Sequence, residues 1–167
     1  MIFIFSNIKA SPTKANELSE SIKPTDTLVF LNKAVNFEFF MKTPATKVLI
    51  CAIKGDDNKL LERYPDITME ERKKLYFCRD EWYGREDEIF DQFILRNKLE
   101  EETKFFYPKG KKPTTGFLAY QFYKANGVVL VSFFPNKDFS TTHWEGHDFR
   151  YEQDALDWDE VKILDLR

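Results

Sequence analysis

The sequence predicts one α/β domain spanning residues 1–167, with a mainly parallel sheet flanked by helices. Apolar runs rich in β-branched and aromatic residues recur at 2–5, 27–31 and 48–53, and enough chain separates them for crossover connections. Apolar residues at helical spacing lie between the first two runs. The length of 167 residues suits one hydrophobic core, so a second domain is not expected.

The first strand and helix have clear boundary signals. The strand at 2–5 ends at Ser6, the start of a polar loop. The helix predicted over 13–22 has Ser11 as its candidate N-cap, has Pro12 at the first helical position and is stopped by Pro24.

Later elements follow from the same kinds of pattern. Acidic residues at 86–88 favour a helix N-terminus there, and apolar residues at 89, 90, 93 and 94 form a helical stripe. Alternation of strands and helices predicts a Rossmann-like arrangement. The predicted elements after 48–53 are a strand at 75–78, a helix at 86–101, a helix from 114 to 126, a strand at 128–134, a short helix, and a strand at 161–166.

Composition excludes several classes of protein. Aromatic residues make up 16% of the chain and supply much of its buried surface, so disorder is not expected. The net charge of −3 lacks the basic excess of a nucleic-acid-binding protein. Cys51 and Cys78 form no metal or disulfide pattern. Because the sequence has no signal peptide or membrane span, we expect a soluble cytoplasmic protein, with peripheral membrane contact or a homo-oligomer left open.

The two histidines of the chain lie four residues apart, just beyond the strand predicted at 128–134. Ligands of open α/β sheets bind outside the carboxyl ends of strands, and histidine changes charge near neutral pH. His143 and His147 are therefore candidates for moving a proton or holding a phosphate, although loop histidines are often structural. Their spacing would suit a metal on a helix, but Gly146 argues against that helix, and no metal site is predicted.

Small polar residues at helix and strand ends complete the candidate site. Thr114, Thr115 and Gly116 begin an apolar helix, whose N–H groups would suit phosphate, while an ordinary N-cap is the alternative. Asn7 and Asn32 each follow a predicted strand, at the sheet edge where ligands collect. Asparagine is also common in turns, so neither residue alone indicates a site.

In chain order, these segments resemble the motifs of the eukaryotic-type sialyltransferase family, whose donor is CMP-sialic acid. Phe-Ser-Asn at 5–7 and the segment 26–32, with Asp and Asn at its ends, resemble parts of the long sialylmotif. Pro-Thr-Thr-Gly at 113–116, followed by a helix and a strand, resembles the short sialylmotif, whose strand ends in Gly-Phe. His-Trp-Glu at 143–145 resembles the third motif, and His-x4-Glu at 147–152 matches the very short motif.

The resemblance implies a role for each residue. His147 would be the general base that takes the proton from the acceptor hydroxyl, and His143 would steady the departing CMP phosphate. Glu152 would orient the loop rather than transfer protons. The implied reaction inverts the anomeric centre by direct displacement and uses neither a metal nor another cofactor. The residues expected to hold the donor or support the site are Ser6, Asn7, Asn32, Thr114, Thr115, Gly116, Trp144 and Glu152.

These inferences predict a small bacterial glycosyltransferase that moves sialic acid or a related keto sugar from a CMP-activated donor. Its expected location is the cytoplasm, and a location at the inner face of the membrane stays open. Its acceptor would be a glycan such as lipooligosaccharide or capsule, and nucleic acid is not an expected partner. Two other classes stay open: a non-catalytic nucleotide- or glycan-binding protein of the same fold, and a structural α/β protein in which the motif matches are chance. CMP binding without turnover would indicate the first, and no nucleotide affinity the second.

Overall fold

The computed structural model describes residues 1–31, 34–51, 92–133, 146–157 and 159–167. Its six strands are β1 (Ile2–Phe5), β2 (Thr27–Leu31), β3 (Thr46–Cys51), β4 (Gln92–Leu95), β5 (Val128–Val131) and β6 (Lys162–Leu164). They form one sheet in the order β4-β3-β2-β1-β5-β6, and every neighbouring pair is parallel. The predicted α/β class with a mainly parallel sheet is therefore confirmed.

Helices cover both faces of this sheet. They are α1 (Pro12–Ser21), α2 (Phe37–Phe40), α3 (Arg96–Glu102), α4 (Thr115–Tyr123) and α5 (Phe149–Asp154). Side chains of α1 and α2 join the core on one face, while those of α3, α4 and α5 join the core on the other. In the described part of the chain, no helix combines the length and apolar character needed to cross a bilayer.

Side chains of successive strand residues alternate between the two cores, as the two-residue period of a strand requires. Phe5 and Phe30 face the α1/α2 side, whereas Ile4 and Val29 face the α4 side. The register pairs Phe5 with Phe30, and their rings stack with centroids 4.8 Å apart. The Phe37 ring meets Phe30 edge-on at 5.2 Å. Aromatic packing thus holds α2 against the centre of the sheet.

Several boundaries follow the sequence-based predictions. The strands at 2–5 and 27–31 are confirmed, and so is the helix beginning at Pro12. The helix that starts near Thr114 ends through a 3₁₀ turn before Gly127, whose φ of 73° suits glycine. The third strand begins earlier than predicted, because Thr46 already pairs with β2. The strand predicted at 75–78 lies outside the described residues.

The helix predicted over 86–101 is wrong for residues 92–95, which form β4 instead, and α3 begins only at Arg96. Phe93 pairs in parallel register with Leu49 of β3, and Ile94 pairs with Ile50. A short apolar run fits either periodicity, so the available pairing edge of β3 decides its conformation. Residues 86–91, with the acidic start of the predicted helix, lie outside the described residues.

The topology marks one edge of the sheet as the place where a ligand crevice is expected. All six strands run in the same direction, so their carboxyl ends share that edge. The chain moves outward from β1 through β2, β3 and β4, and then returns to the other side of β1 as β5. β1 is followed by α1 on one face and β5 by α5 on the other, so the carboxyl edge between these two strands is the switch point at which ligands of open α/β sheets bind.

Replacing Phe30 by alanine should lower the free energy of unfolding by about 3–5 kcal/mol, because a fully buried ring is lost from the aromatic core. Urea unfolding followed by circular dichroism measures this change. The matched control is Phe106→Ala, which should cost less than about 1 kcal/mol because that ring is 76% exposed. Equal losses for the two variants would contradict the described packing.

Candidate functional site

Ser6 and Ser132 tie together the carboxyl ends of β1 and β5. The Ser6 hydroxyl donates to the Ser132 carbonyl oxygen at 2.7 Å, and it accepts the Ile8 N–H at 3.2 Å. The Ser132 hydroxyl accepts the Leu166 N–H at 3.2 Å. Ser132 has a φ of 55°, the left-handed region that favours glycine. The described contacts of both hydroxyls are thus structural, and they join the ends of β1 and β5 to the segment after β6.

Asn7 lies on the loop that follows β1. Its side chain is exposed and makes no hydrogen bond to another described residue. Asn36 holds this loop in place: its amide donates to the Ile8 carbonyl at 2.7 Å, and its oxygen accepts the Ala10 N–H at 2.9 Å. Asn36 is 1% exposed, so this support is buried. Asn32, predicted to hold the donor, lies outside the described residues.

Glu152 belongs to α5, and its buried carboxylate contacts the start of α4. Only 1% of its surface is exposed. Oxygen Oε1 accepts the Thr114 N–H at 2.6 Å and the Tyr107 hydroxyl at 2.7 Å, while Oε2 accepts the Thr114 hydroxyl at 2.7 Å. Thr114 in turn accepts the Phe117 N–H at 3.0 Å and caps the helix. The carboxylate is therefore satisfied by three donors from two separate chain segments.

The protonation of this cluster follows from its burial. Burial raises the pKa of Glu152 above its ordinary value, although the hydrogen bonds from Thr114 and Tyr107 favour the charged form. Burial also raises the pKa of Tyr107, and the adjacent Glu152 carboxylate adds to this effect. The Tyr107 hydroxyl therefore remains neutral and able to donate at neutral pH.

His147 lies directly before α5 and is half-buried. Its Nδ1 lies 2.5 Å from the Lys112 carbonyl oxygen, and the Lys112 N–H donates to the Gly146 carbonyl at 2.8 Å. A carbonyl oxygen only accepts, so Nδ1 carries a hydrogen and the lone pair of the neutral ring lies on Nε2. Asp148, the next residue, donates its N–H to the Tyr107 hydroxyl at 3.0 Å. Two contacts therefore fix the orientation of the loop bearing His147.

Gly116 allows the first turn of α4 to approach the sheet edge. A Cβ atom at this position would lie 2.5 Å from Cε1 of Phe133 and 3.4 Å from Cδ1 of Leu31. The N–H groups of Thr115 and Gly116 make no hydrogen bond to another described residue. Glu152 already accepts both the N–H and the hydroxyl of Thr114, so these next two N–H groups are the ones left for a ligand.

The structure joins some of the predicted site residues and separates others. Hydrogen bonds connect Thr114 with Glu152, and His147 with the residue two positions before Thr114. Ser6 and Asn7 lie at the end of β1, where the Ser6 hydroxyl donates to the β5 end and makes no described contact with α5. His143 and Trp144 lie outside the described residues.

Sequence analysis missed two supporting residues, Tyr107 and Asn36. Tyr107 sits in Phe-Phe-Tyr, a pattern typical of a core segment, and nothing in its neighbours marks a hydrogen-bonding role. Asn36 follows a strand and a short loop, as many turn asparagines do. Both act through contacts with residues more than 20 positions away, which local patterns do not encode.

The raised pKa of Glu152 predicts a pH-dependent stability. Between the ordinary value of 4.5 and the raised pKa, the folded state holds a proton that the unfolded state has lost, so stability falls as pH rises. Glu152→Gln removes this titration. Across this pH range, the free energy of unfolding of the wild type relative to that of the variant should fall by about 1.4 kcal/mol for each unit by which the pKa is raised. Urea unfolding of both proteins across acidic pH measures this. Parallel stability profiles would contradict it.

Gly116→Ala should lower the free energy of unfolding by about 1–3 kcal/mol, because its methyl group would overlap the Phe133 ring. Alanine otherwise favours a helix, so a stabilised variant would show that the close approach is absent. Adding Phe133→Leu should recover part of the loss, since the shorter side chain vacates the space. Thermal unfolding of the two single variants and the double variant tests this coupling.

The residues of the site itself are the basis on which its function is assigned. Within the described ranges, no cluster of three or more His, Cys, Asp or Glu side chains is arranged to hold a metal ion. Comparisons of the chain with family models, curated proteins and solved structures gave no match. The contacts among α4, α5 and the segment before α4 are therefore the main structural evidence on function.

Proposed function

We propose that this chain is a glycosyltransferase resembling the sialyltransferases, which transfers sialic acid or a related keto sugar from a CMP-activated donor to a glycan hydroxyl with inversion. One observation carries the proposal: the segments 113–116 and 147–152, which resemble two different family motifs, are hydrogen-bonded to each other. Thr114 and Glu152 are 38 positions apart in the chain. A contact of this kind is what two motifs that share one site would make.

The topology supports the same proposal. The sheet order, with its reversal between β1 and β5, agrees with a Rossmann-like nucleotide-binding arrangement. Ser6, in the segment that resembles the long motif, bonds to Ser132 at the end of the segment that resembles the short motif. Ser132 occupies the position at which the short motif has glycine, and its φ of 55° is a glycine-like conformation.

His147 is suited to act as the general base. With Nδ1 donating to the Lys112 carbonyl, Nε2 of the neutral ring takes the proton of the acceptor hydroxyl. The hydroxyl oxygen forms a bond to the anomeric carbon while the bond from that carbon to the phosphate oxygen breaks. CMP departs with the electron pair of the broken bond. Because attack and departure occur on opposite faces in one displacement, the anomeric configuration inverts.

The surrounding residues either position the base or bind the donor. Glu152 and Tyr107 are positioning residues, since they touch the His147 loop and the start of α4 rather than the reacting atoms. Thr115 and Gly116 offer backbone N–H groups to an anionic group of the donor. Asn7 is exposed at the sheet edge, and its amide contacts the donor in the proposed complex.

By the family resemblance, further residues hold and release the donor. His143 steadies the departing phosphate, Asn32 holds the nucleotide, and Trp144 supports the site. No metal or other cofactor is required. The acceptor is a glycan such as lipooligosaccharide or capsule.

Selective binding of CMP is the first expected outcome. Titration calorimetry and thermal shift with CMP, using UDP and GDP as controls, should give heat release and a raised melting temperature for CMP alone. CMP binding without any transfer or hydrolysis of CMP-sialic acid would favour a non-catalytic binding protein. If none of the three nucleotides binds, the transferase proposal is overturned and a structural role becomes the better explanation.

Replacing His147 by alanine should lower turnover of CMP-sialic acid by about 10²–10⁴-fold, because the general base is removed. CMP affinity should change far less, since the proposed role concerns the acceptor hydroxyl. Lys124→Ala is the matched control, an exposed residue in the turn between α4 and β5. Equal turnover for His147→Ala and the control would refute the assignment of the base.

A further inference from the structure

We propose that the segment 104–112 forms a docking surface for an anionic lipid bilayer. This segment, here called the basic loop, lies between α3 and α4 and contains Lys104, Phe106, Lys109, Lys111 and Lys112. The inference rests on its charge, shape and exposed ring, and it does not require the proposed reaction.

The charge of the basic loop is opposite to that of the chain. It holds four lysines and no acidic residue, while the whole chain has a net charge of −3. All four lysines are exposed. Three exposed glutamates, 100–102, precede Thr103, so the charge changes sign abruptly where α3 ends. Lysines concentrated in this way are attracted to the negative surface potential of anionic lipids.

The loop projects from the body of the protein. The Lys111 N–H donates to the Pro108 carbonyl at 3.1 Å and closes a tight turn. Gly110 in this turn has a φ of 82°, which glycine adopts without strain. A Cβ atom on Gly110 would have no neighbour within 4 Å, so the turn extends into open space. Lys109, next to this glycine, is therefore able to reach a flat surface.

Phe106 favours a bilayer over a dissolved polyanion as the occupant. Its side chain is 76% exposed, more than the other exposed large hydrophobic side chains of the described residues. The Tyr151 hydroxyl donates to the Phe106 carbonyl at 2.5 Å, so the backbone that presents the ring is fixed. A soluble polyanion would engage the lysines alone. The bilayer interface accepts both the cationic side chains and an inserted aromatic ring.

The basic loop is also connected to the candidate base. The carbonyl of Lys112 is the partner of His147 Nδ1, and Tyr107 contacts Asp148 and Glu152. A bilayer bound to the loop would therefore lie beside the residues 147–152 that the proposed reaction uses. Such a placement suits a lipid-linked substrate.

Sedimentation with vesicles tests this inference directly. Wild-type protein should pellet with vesicles of phosphatidylcholine containing phosphatidylglycerol, and added salt should weaken the binding. It should not pellet with phosphatidylcholine alone. Lys104→Gln combined with Lys109→Gln should weaken binding by about 25-fold, at about fivefold per lysine. The control is the double variant Lys124→Gln with Lys162→Gln, which changes the net charge by the same amount. Both residues are exposed and lie at the amino ends of β5 and β6, so this variant should bind vesicles nearly as well as the wild type.

A second pair of variants tests the aromatic contribution. Phe106→Ser should reduce vesicle binding severalfold, whereas Phe122→Ser, at an exposed ring on α4, should not. Thermal unfolding verifies that each variant is folded. Failure of the wild type to bind phosphatidylglycerol vesicles overturns the inference, as does equal weakening by both lysine pairs. Binding to soluble heparin without binding to vesicles also overturns it, because the loop would then be a polyanion site.

Discussion

The buried carboxylate of Glu152 is the contact on which the arrangement of the candidate site depends. Placing a carboxylate in a protein interior is strongly unfavourable unless donors replace its lost water. Here the donors come from Tyr107 and Thr114, so the segment before α4, the start of α4 and α5 must all be in place together. His147 lies next to Asp148, which is bonded to the same Tyr107, and its position follows from that assembly.

The parallel sheet explains why these segments are able to meet. Since all strands share one direction, α4 must begin at the carboxyl edge in order to return the chain to the start of β5. Gly116 lets this helix start lie against Phe133 and Leu31 at that edge. The same helix start is a natural place for an anion, yet Glu152 already takes the Thr114 donors. This helix terminus thus gives the Thr114 donors to an internal carboxylate, while the N–H groups of Thr115 and Gly116 have no partner among the described residues.

Local signals in the sequence were sufficient for much of the fold. The apolar runs of β1 and β2, the proline at the start of α1, and the glycine after α4 each act over a few residues, and the predictions based on them are confirmed. The run Gln92–Leu95 was assigned wrongly, because its conformation depends on pairing with β3, about 40 positions earlier. For the site, the sequence patterns selected Thr114, His147 and Glu152. They did not select Tyr107, whose hydroxyl joins the segment before α4 to α5.

By itself, the sequence determined the α/β class, the residue types available for proton transfer and the order of the motif-like segments, since composition, periodicity and spacing are properties of the chain alone. Only the tertiary structure decided the strand order, the β4 assignment and which polar groups satisfy one another. Hydrogen bonds such as Thr114–Glu152 join residues 38 positions apart, and their formation requires the sheet and both helices to be packed. Burial then raises the pKa of Glu152. The residue type alone does not predict this shift, because the shift depends on what surrounds the side chain.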